Sequence, residues 1–352
     1  MKRSVVLVIL LILCVVFCAC GKDTTANKTP SVSQTPEQQN TLPTFTKEST
    51  ESIHDGLGNS IANYSSISCL LAECKDYIFH SYNADHQIIM VEKTTNNSTP
   101  LPIYGTDLSI YNNILYYIPS DRTSFCSYNL LSGESSTVTF LDNLPNGFFY
   151  EQVFVLDFGF VVRYTDEWHK TQMIRCIDFD GDIIAEKKPQ IASCILSGSS
   201  SMAARSGDNI ILFSLPNLSE SFSAFPYSIA MLSTSSDENI YSYMYNKPFI
   251  NKLRKETNAV EQWDVPFGDI LSAQEYSNRL YCTTDDGVFV VSPSNPAEFF
   301  KFCSFKLTDL TFTTNGYIYA FVSTSGEDYI DHIKGYHISL KFDGSDMTVL
   351  SN

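Results

Sequence analysis

The chain has 352 residues and a net charge of −16, with 39 acidic residues against 23 basic ones. A field of that sign repels phosphates, so nucleic acid is a poor partner and anionic lipid head groups hold the domain at a distance. The acidity by itself speaks for solubility rather than for a cationic ligand.

The first segment in chain order is a secretory signal. Lys2 and Arg3 form a basic start, Val5 to Ala19 is an unbroken apolar run of 15 residues, and Cys20 follows between Ala19 and Gly21. A basic start, an apolar core and a small residue before the cut are the parts of an export signal. A membrane span needs roughly 20 apolar residues, and 15 helical residues reach only about 22 Å. The cysteine at the cut resembles the lipobox of bacterial lipoproteins, although Phe17 and Cys18 stand where that motif usually carries Leu and a small residue. The resemblance implies removal of residues 1–19, lipidation of Cys20 with acyl chains such as palmitate, and a place on the outer face of the bacterial cell membrane. A plain secretory cut nearby is the alternative. Loss of residues 1–19 removes Lys2 and Arg3 and no acidic residue, so the charge moves from −16 to −18. One acyl chain binds a bilayer reversibly, whereas two or three hold firmly.

Residues 20–60 read as the anchor and a flexible tether. The stretch KDTTANKTPSVSQTPEQQNTLPTFTKESTES has almost no aliphatic residues and is rich in Thr, Ser, Pro, Gln and Asn. Such a segment buries too little apolar surface to offset its ordering entropy. As a coil, the 40 residues 21–60 have a root-mean-square span of roughly 35 Å.

Residues 61–352 change character. Runs of aromatic and β-branched residues alternate with Asn, Asp, Gly and Ser, which predicts strands and turns. One unit recurs, a polar turn leading into an apolar strand: ECKDYIF (73–79), YNNILYY (111–117), DFGFVV (157–162), GDNIILF (207–213), DENIYSY (237–243), YSNRLYC (276–282) and TNGYIYAF (314–321). The strand starts Tyr77, Leu115, Phe160, Ile210, Ile240, Leu280 and Ile318 are 38, 45, 50, 30, 40 and 38 residues apart. A period near 40 with several short strands marks propeller blades. Second hairpins turn at LLSGE (130–134), DFDGD (178–182) and KFDGSD (341–346). Two hairpins make a four-stranded blade. Runs such as ILYYI, VFVV and YIYAFV are apolar at consecutive positions, as expected for strands buried on both faces. The expected fold is an all-β propeller of about seven four-stranded blades, with six and eight left open. Tyr116, Phe160, Phe213, Tyr281 and Tyr319 are expected between blades. The fourth unit is short and lacks an obvious fourth strand after SESFSAF. NKLRKETNAVEQW (251–263) reads as a hairpin turned at Thr257-Asn258, with a helix as the alternative.

GNSIANYSSISCLLAECKDYIFHSY (58–82), the repeated N-x-I/L-Y strand starts and the closing LKFDGSDMTVL (340–350) resemble Gram-positive lipoproteins with a domain of unknown function. That domain is related to the YWTD propeller of low-density-lipoprotein receptors. The resemblance covers roughly residues 58–352 and implies blade geometry without a ligand. The YWTD tetrapeptide is absent, and receptor propellers have six blades.

No catalytic or metal-ligating residue is assigned, and no cofactor is called for. Asp178-Phe179-Asp180-Gly181-Asp182 has the look of a calcium loop, but Pro189 and Ile183 stand where that loop needs Glu and Gly, so a hairpin turn is expected. Gly326 to His332, with His337 beyond, is the densest polar cluster, and Asp166-Glu167-Trp168-His169 is similar; both read as solvated loops. His54, His80, His86, His169, His332 and His337 show no H-E-x-x-H spacing, and no G-x-S-x-G occurs. Outside the signal there are seven cysteines, an odd number: Cys69, Cys74, Cys126, Cys176, Cys194, Cys282 and Cys303. No C-x-x-C is among them. Cys69 and Cys74 are expected on opposite faces of one strand, and most of the seven as small buried side chains. The function expected is a membrane-anchored, non-catalytic binding or scaffold module for a protein, peptide or cell-wall glycan. The alternative is an extracellular hydrolase or lyase with acidic residues at the propeller channel.

Overall fold

Two-residue turns set the strand pairing. Asn112 and Asn113 join Tyr111 to Ile114 with φ of 48° and 65°, and Ser277 and Asn278 join Tyr276 to Arg279 with φ of 50° and 58°. Left-handed backbone at both central positions matches the twist of an antiparallel pair, and Asn tolerates it well. The computed structural model describes residues 45–50, 70–139, 144, 147–166, 172–188, 193–197, 200–206, 209–224, 230–232, 239–323, 335–343 and 345–351. They belong to the unit Leu42–Asn352.

Among them, 28 strands form seven four-stranded antiparallel sheets, each made of four consecutive strands. Blade 1 holds β1 (Leu71–Glu73), β2 (Tyr77–His80), β3 (Gln87–Glu92) and β4 (Ser98–Tyr104). Blade 2 holds β5 (Thr106–Tyr111), β6 (Ile114–Ile118), β7 (Cys126–Asn129) and β8 (Glu134–Thr137). Blade 3 holds β9 (Phe148–Leu156), β10 (Gly159–Asp166), β11 (Gln172–Ile177) and β12 (Ile183–Lys187). Blade 4 holds β13 (Ser193–Ser197), β14 (Ser201–Ser206), β15 (Asn209–Ser214) and β16 (Ser219–Ala224). Blade 5 holds β17 (Ala230–Leu232), β18 (Asn239–Tyr243), β19 (Phe249–Arg254) and β20 (Ala259–Asp264). Blade 6 holds β21 (Ser272–Tyr276), β22 (Arg279–Thr284), β23 (Gly287–Ser292) and β24 (Asn295–Cys303). Blade 7 holds β25 (Leu307–Phe312), β26 (Tyr317–Ser323), β27 (Gly335–Lys341) and β28 (Thr348–Ser351).

The first strands of neighbouring blades approach one another, β1 to β5, β5 to β9, β17 to β21 and β21 to β25, so they are innermost. Outer strands such as β8 and β24 are largely exposed, while β6, β10 and β22 are buried on both faces. That sandwiching accounts for the consecutive apolar runs of the second strands.

Seven hydrophobic clusters fill the wedges between successive blades. Tyr128 and Met90 pack between blades 1 and 2, Tyr116 and Phe160 between 2 and 3, and Phe154 and Phe213 between 3 and 4. Ile210 and Ile240 pack between blades 4 and 5, Tyr241 and Cys282 between 5 and 6, Tyr281 and Phe312 between 6 and 7, and Tyr319 and Ile78 between 7 and 1. The last cluster closes the ring. All five aromatics expected between blades are buried there.

In six blades the recurring sequence unit lies on the second strand, and in the fourth it lies one strand late. Ile210 belongs to β15, the third strand, while the second strand is SMAARS, which carries no aromatic residue. With Met202 as the fourth start the spacings become 38, 45, 42, 38, 40 and 38, and the 50–30 irregularity disappears. SESFSA is itself the fourth strand, paired with β15 along its length. Residues 251–263 form the expected hairpin, β19 against β20, with Asn258 at φ 54° in its turn. The other expected second hairpins turn where read.

Part of the stretch read as tether is docked. Phe45 packs edge-on against Tyr77 at 5.0 Å, Asp76 donates its backbone N–H to the Ser49 carbonyl at 3.1 Å, and Thr50 Oγ1 hydrogen-bonds Asn113 of blade 2. Cys74, Cys126, Cys176, Cys282 and Cys303 are free thiols. Cys74 follows the end of β1, and Cys69 lies outside the described residues.

Candidate functional site

Blade 1 is built from the first part of the domain and blade 7 from the last, so the ring closes by side-chain contacts between them. Lys93 of blade 1 forms an ion pair with Glu73 at 2.8 Å, with side chains 8% and 1% exposed. The same ammonium donates to Thr314 Oγ1 at 2.8 Å in the first turn of blade 7, and to the Cys74 carbonyl at 2.6 Å. Glu73 in turn accepts the Thr314 N–H at 3.1 Å and its hydroxyl at 3.0 Å. A buried charge pair is tolerable only when further hydrogen bonds satisfy its remaining atoms, and Thr314 supplies them.

Outward from these contacts, the blade 7 to blade 1 wedge opens into a groove of about 360 Å³. Small side chains at two positions filled in the neighbouring wedge account for the gap. Val91 pairs with Ile78 on β2, as Tyr128 pairs with Leu115 on β6. Ser339 pairs with Tyr319 on β26, as Met90 pairs with Phe79 on β2. The wedge between blades 1 and 2 is therefore filled by Tyr128 and Met90, both buried. The seam places Val91 and Ser339 at the same two positions, and the missing side-chain volume is the groove.

Tyr317, backed by the buried Tyr319, forms the aromatic wall of this groove, and Asn96, Ser98, Asn315 and Thr348 its polar rim. Asn96 Nδ2 donates to the Tyr317 hydroxyl at 3.0 Å and fixes that ring from the opposite blade. Asn315 Oδ1 accepts from Thr313 Oγ1 at 2.7 Å. Asp346 is the charged residue of the described lining, and Lys341 holds it in an ion pair. The hydrogen bond that Lys341 donates to Asp346 raises the Lys341 pKa. Burial raises that of the Tyr319 phenol.

The inner part of the same seam gathers histidines. Tyr82 stacks on Tyr319 at 5.8 Å and contacts His337 at 4.7 Å, and His80 lies 5.6 Å from both Tyr82 and Tyr319. His86 Nδ1 lies 3.2 Å from the Ser81 carbonyl. Burial, with a smaller contribution from His337, pushes the His80 pKa down to about 4, and burial also lowers that of His337. Among the described residues, His80 Nδ1 has no hydrogen-bond partner.

Among the described residues, no group of three or more His, Cys, Asp or Glu is placed to hold a metal. Asp178 serves its hairpin: its Oδ1 accepts the N–H of Asp180 at 3.0 Å and of Asp182 at 2.8 Å. Cys20, His54, Trp168-His169 and Gly326 to His332 lie outside the described residues. His337, read with the last of these, sits on β27 at the seam. The groove escaped sequence reading because neither Val91 nor Ser339 is unusual by itself. Only their equivalence to Tyr128 and Met90 reveals it.

No family model matches the chain, and no curated protein matches it. Solved structures do. The WD40 β-propeller domain of Doa1 is 12% identical with a TM-score of 0.50, over 75% of this chain and 93% of that one. Hsv2 of Kluyveromyces lactis is 8% identical with a TM-score of 0.50, over 72% and 91%. A prolyl endopeptidase is 12% identical with a TM-score of 0.53 over 69% of this chain, which spans only 42% of that enzyme. At such identities the likeness is one of fold, and what it shows is a WD40-like β-propeller, here of seven blades.

Proposed function

We propose that this chain is a lipoprotein on the outer face of a bacterial membrane, and that its propeller is a non-catalytic binding module for a protein, peptide or wall glycan. Fold alone does not assign a function. The observation that carries the binding role is the seam groove, the wedge whose filling side chains are replaced by small ones while its rim keeps oriented polar groups. The observation that supports the address is the apolar run ending in Ala19-Cys20-Gly21. The resemblance to lipoproteins with a YWTD-related domain supports the same address.

Mass spectrometry of the mature N-terminus tests the anchor. A diacylated peptide starting at Cys20 is expected, together with release of the Cys20→Ala protein from the membrane fraction. A mature peptide starting elsewhere with a free amine would overturn it. Proximity labelling from the native cell surface tests the binding role. The expected result is a set of neighbours that disappears when Ser98→Trp blocks the groove; an unchanged set would remove the groove from the function.

A further inference from the structure

From the chemistry of its lining we infer that the seam groove is a subsite for an uncharged glycan segment; this rests on the binding-module reading and names its ligand class. A ligand that presents many hydroxyls and no charge needs three things from a site: aromatic surface for the apolar faces of its rings, neutral groups that both donate and accept, and no unpaired charge. The groove supplies each. Tyr317 gives the aromatic wall, backed by the buried Tyr319, and Asn96 holds the Tyr317 ring in place from across the seam. Ser98, Ser339 and Thr348 bring hydroxyls, each able to donate and accept. Asn315, whose carbonyl oxygen accepts from Thr313, adds a neutral amide to the lining. Asp346, the charged residue of the described lining, is held in an ion pair by Lys341, so the lining has no charge without a partner.

Size agrees with a short segment. About 360 Å³ stands at the low end of small-molecule sites, roughly 300–1,000 Å³. At the outer edge of the seam the lining residue Met347 is half exposed, so a longer chain can run on beyond the groove there. The setting agrees as well. A domain of strongly negative charge is repelled by anionic polymers and meets neutral ones without penalty.

The test is titration calorimetry on the full mature chain in detergent. The probes are the tetrasaccharides of N-acetylglucosamine, glucose and mannose, a hyaluronan tetrasaccharide as anionic comparator, and an uncharged Ser/Thr-rich decapeptide. At least one neutral sugar is expected to bind. Ser98→Trp should weaken it more than tenfold, Asn96→Ala by about three- to tenfold, and each variant should keep the parent melting temperature within a few degrees. If Ser98→Trp does not fold, Thr348→Tyr fills the same space from the other blade. Absence of binding by all three neutral sugars overturns the inference, as does neutral-sugar binding that both fillings leave unchanged. Hyaluronan or peptide binding that is lost on filling also overturns the glycan assignment, but leaves the groove a binding site and the binding-module reading intact.

Discussion

Lys93 Nζ reaches Thr314 Oγ1 at 2.8 Å although 221 residues separate them in sequence. The contact joins the third-to-fourth-strand turn of the first blade to the first turn of the last. The ring is thus held shut by polar contacts near its base and by the Tyr82–Tyr319 stack further along the seam. The two ends of the domain meet through contacts in which side chains take part, and the seam is where a single substitution can act on closure.

The Lys93–Glu73 pair should behave as a latch. Lys93→Met leaves a carboxylate 1% exposed without its ion partner, and breaking a buried pair by one partner costs about 3–5 kcal/mol. The double variant Lys93→Met, Glu73→Gln removes both charges and should recover more than half of that loss. Urea unfolding of the three proteins checks it. A single-variant loss below about 1 kcal/mol would mean that the pair is solvated and closure rests on the apolar cluster.

His80 should make the seam acid-sensitive. Its folded pKa, about 4, lies below the ordinary 6.5, so the fold prefers the neutral ring. The unfolded chain therefore takes up a proton first as pH falls, and stability is lost from about pH 6.5 downward until the folded pKa near 4 is reached. A shift of that size corresponds to about 3 kcal/mol over the whole window. The groups facing His80 across the seam are Tyr82, Tyr319 and His337. His80→Phe keeps the ring packing and removes the proton, so its stability should fall less steeply than that of the parent between pH 6.5 and 4.5. Equal slopes would show that His80 stays neutral, or becomes solvated, without cost.

Much of the architecture was legible because propeller blades repeat locally. Asn112-Asn113 and Ser277-Asn278 are turn dipeptides whose φ values match what their residue types tolerate, and the strands after them are buried on both faces. The fourth blade misled for a physical reason. Its second strand has Ala203 where the others have an aromatic or branched residue, so the apolar signal peaks on the third strand. The segment 45–50 reads as tether because its composition is Thr, Ser and Glu, yet Phe45 and the Ser49 carbonyl find partners on blade 1 that lie beyond any local pattern. The groove is a relation between residues 91 and 339, and no local window contains both.

The described thiols should separate into two classes. Burial pushes Cys176 and Cys282 up to about 12 and Cys74 to about 11, so almost no thiolate exists at pH 8. Cys126 and Cys303 are only half buried. Iodoacetamide at pH 8 should modify these two first in the native protein and reach the other three only in denaturant, as read by peptide mass spectrometry. Early modification of Cys282 would mean that the blade 5 to blade 6 wedge opens on the labelling timescale.

A reciprocal pair of substitutions tests the wedge-filling account of the groove. Met90 and Ser339 hold equivalent positions, one in a filled wedge and one in the seam. Met90→Ser removes a buried side chain 2% exposed and leaves a cavity facing Tyr128, so it should cost about 2–5 kcal/mol. Ser339→Met adds volume where space exists, so neither overpacking nor a cavity results, and the change should stay within about 1 kcal/mol. Thermal melts of the two variants read the asymmetry. If Ser339→Met costs as much as Met90→Ser, the seam is already packed to capacity and the groove cannot admit a ligand. If instead Ser339→Met is tolerated and also abolishes neutral-sugar binding, one methionine has restored at the seam the filling that the blade 1 to blade 2 wedge carries, and the absence of that filling is what makes the site.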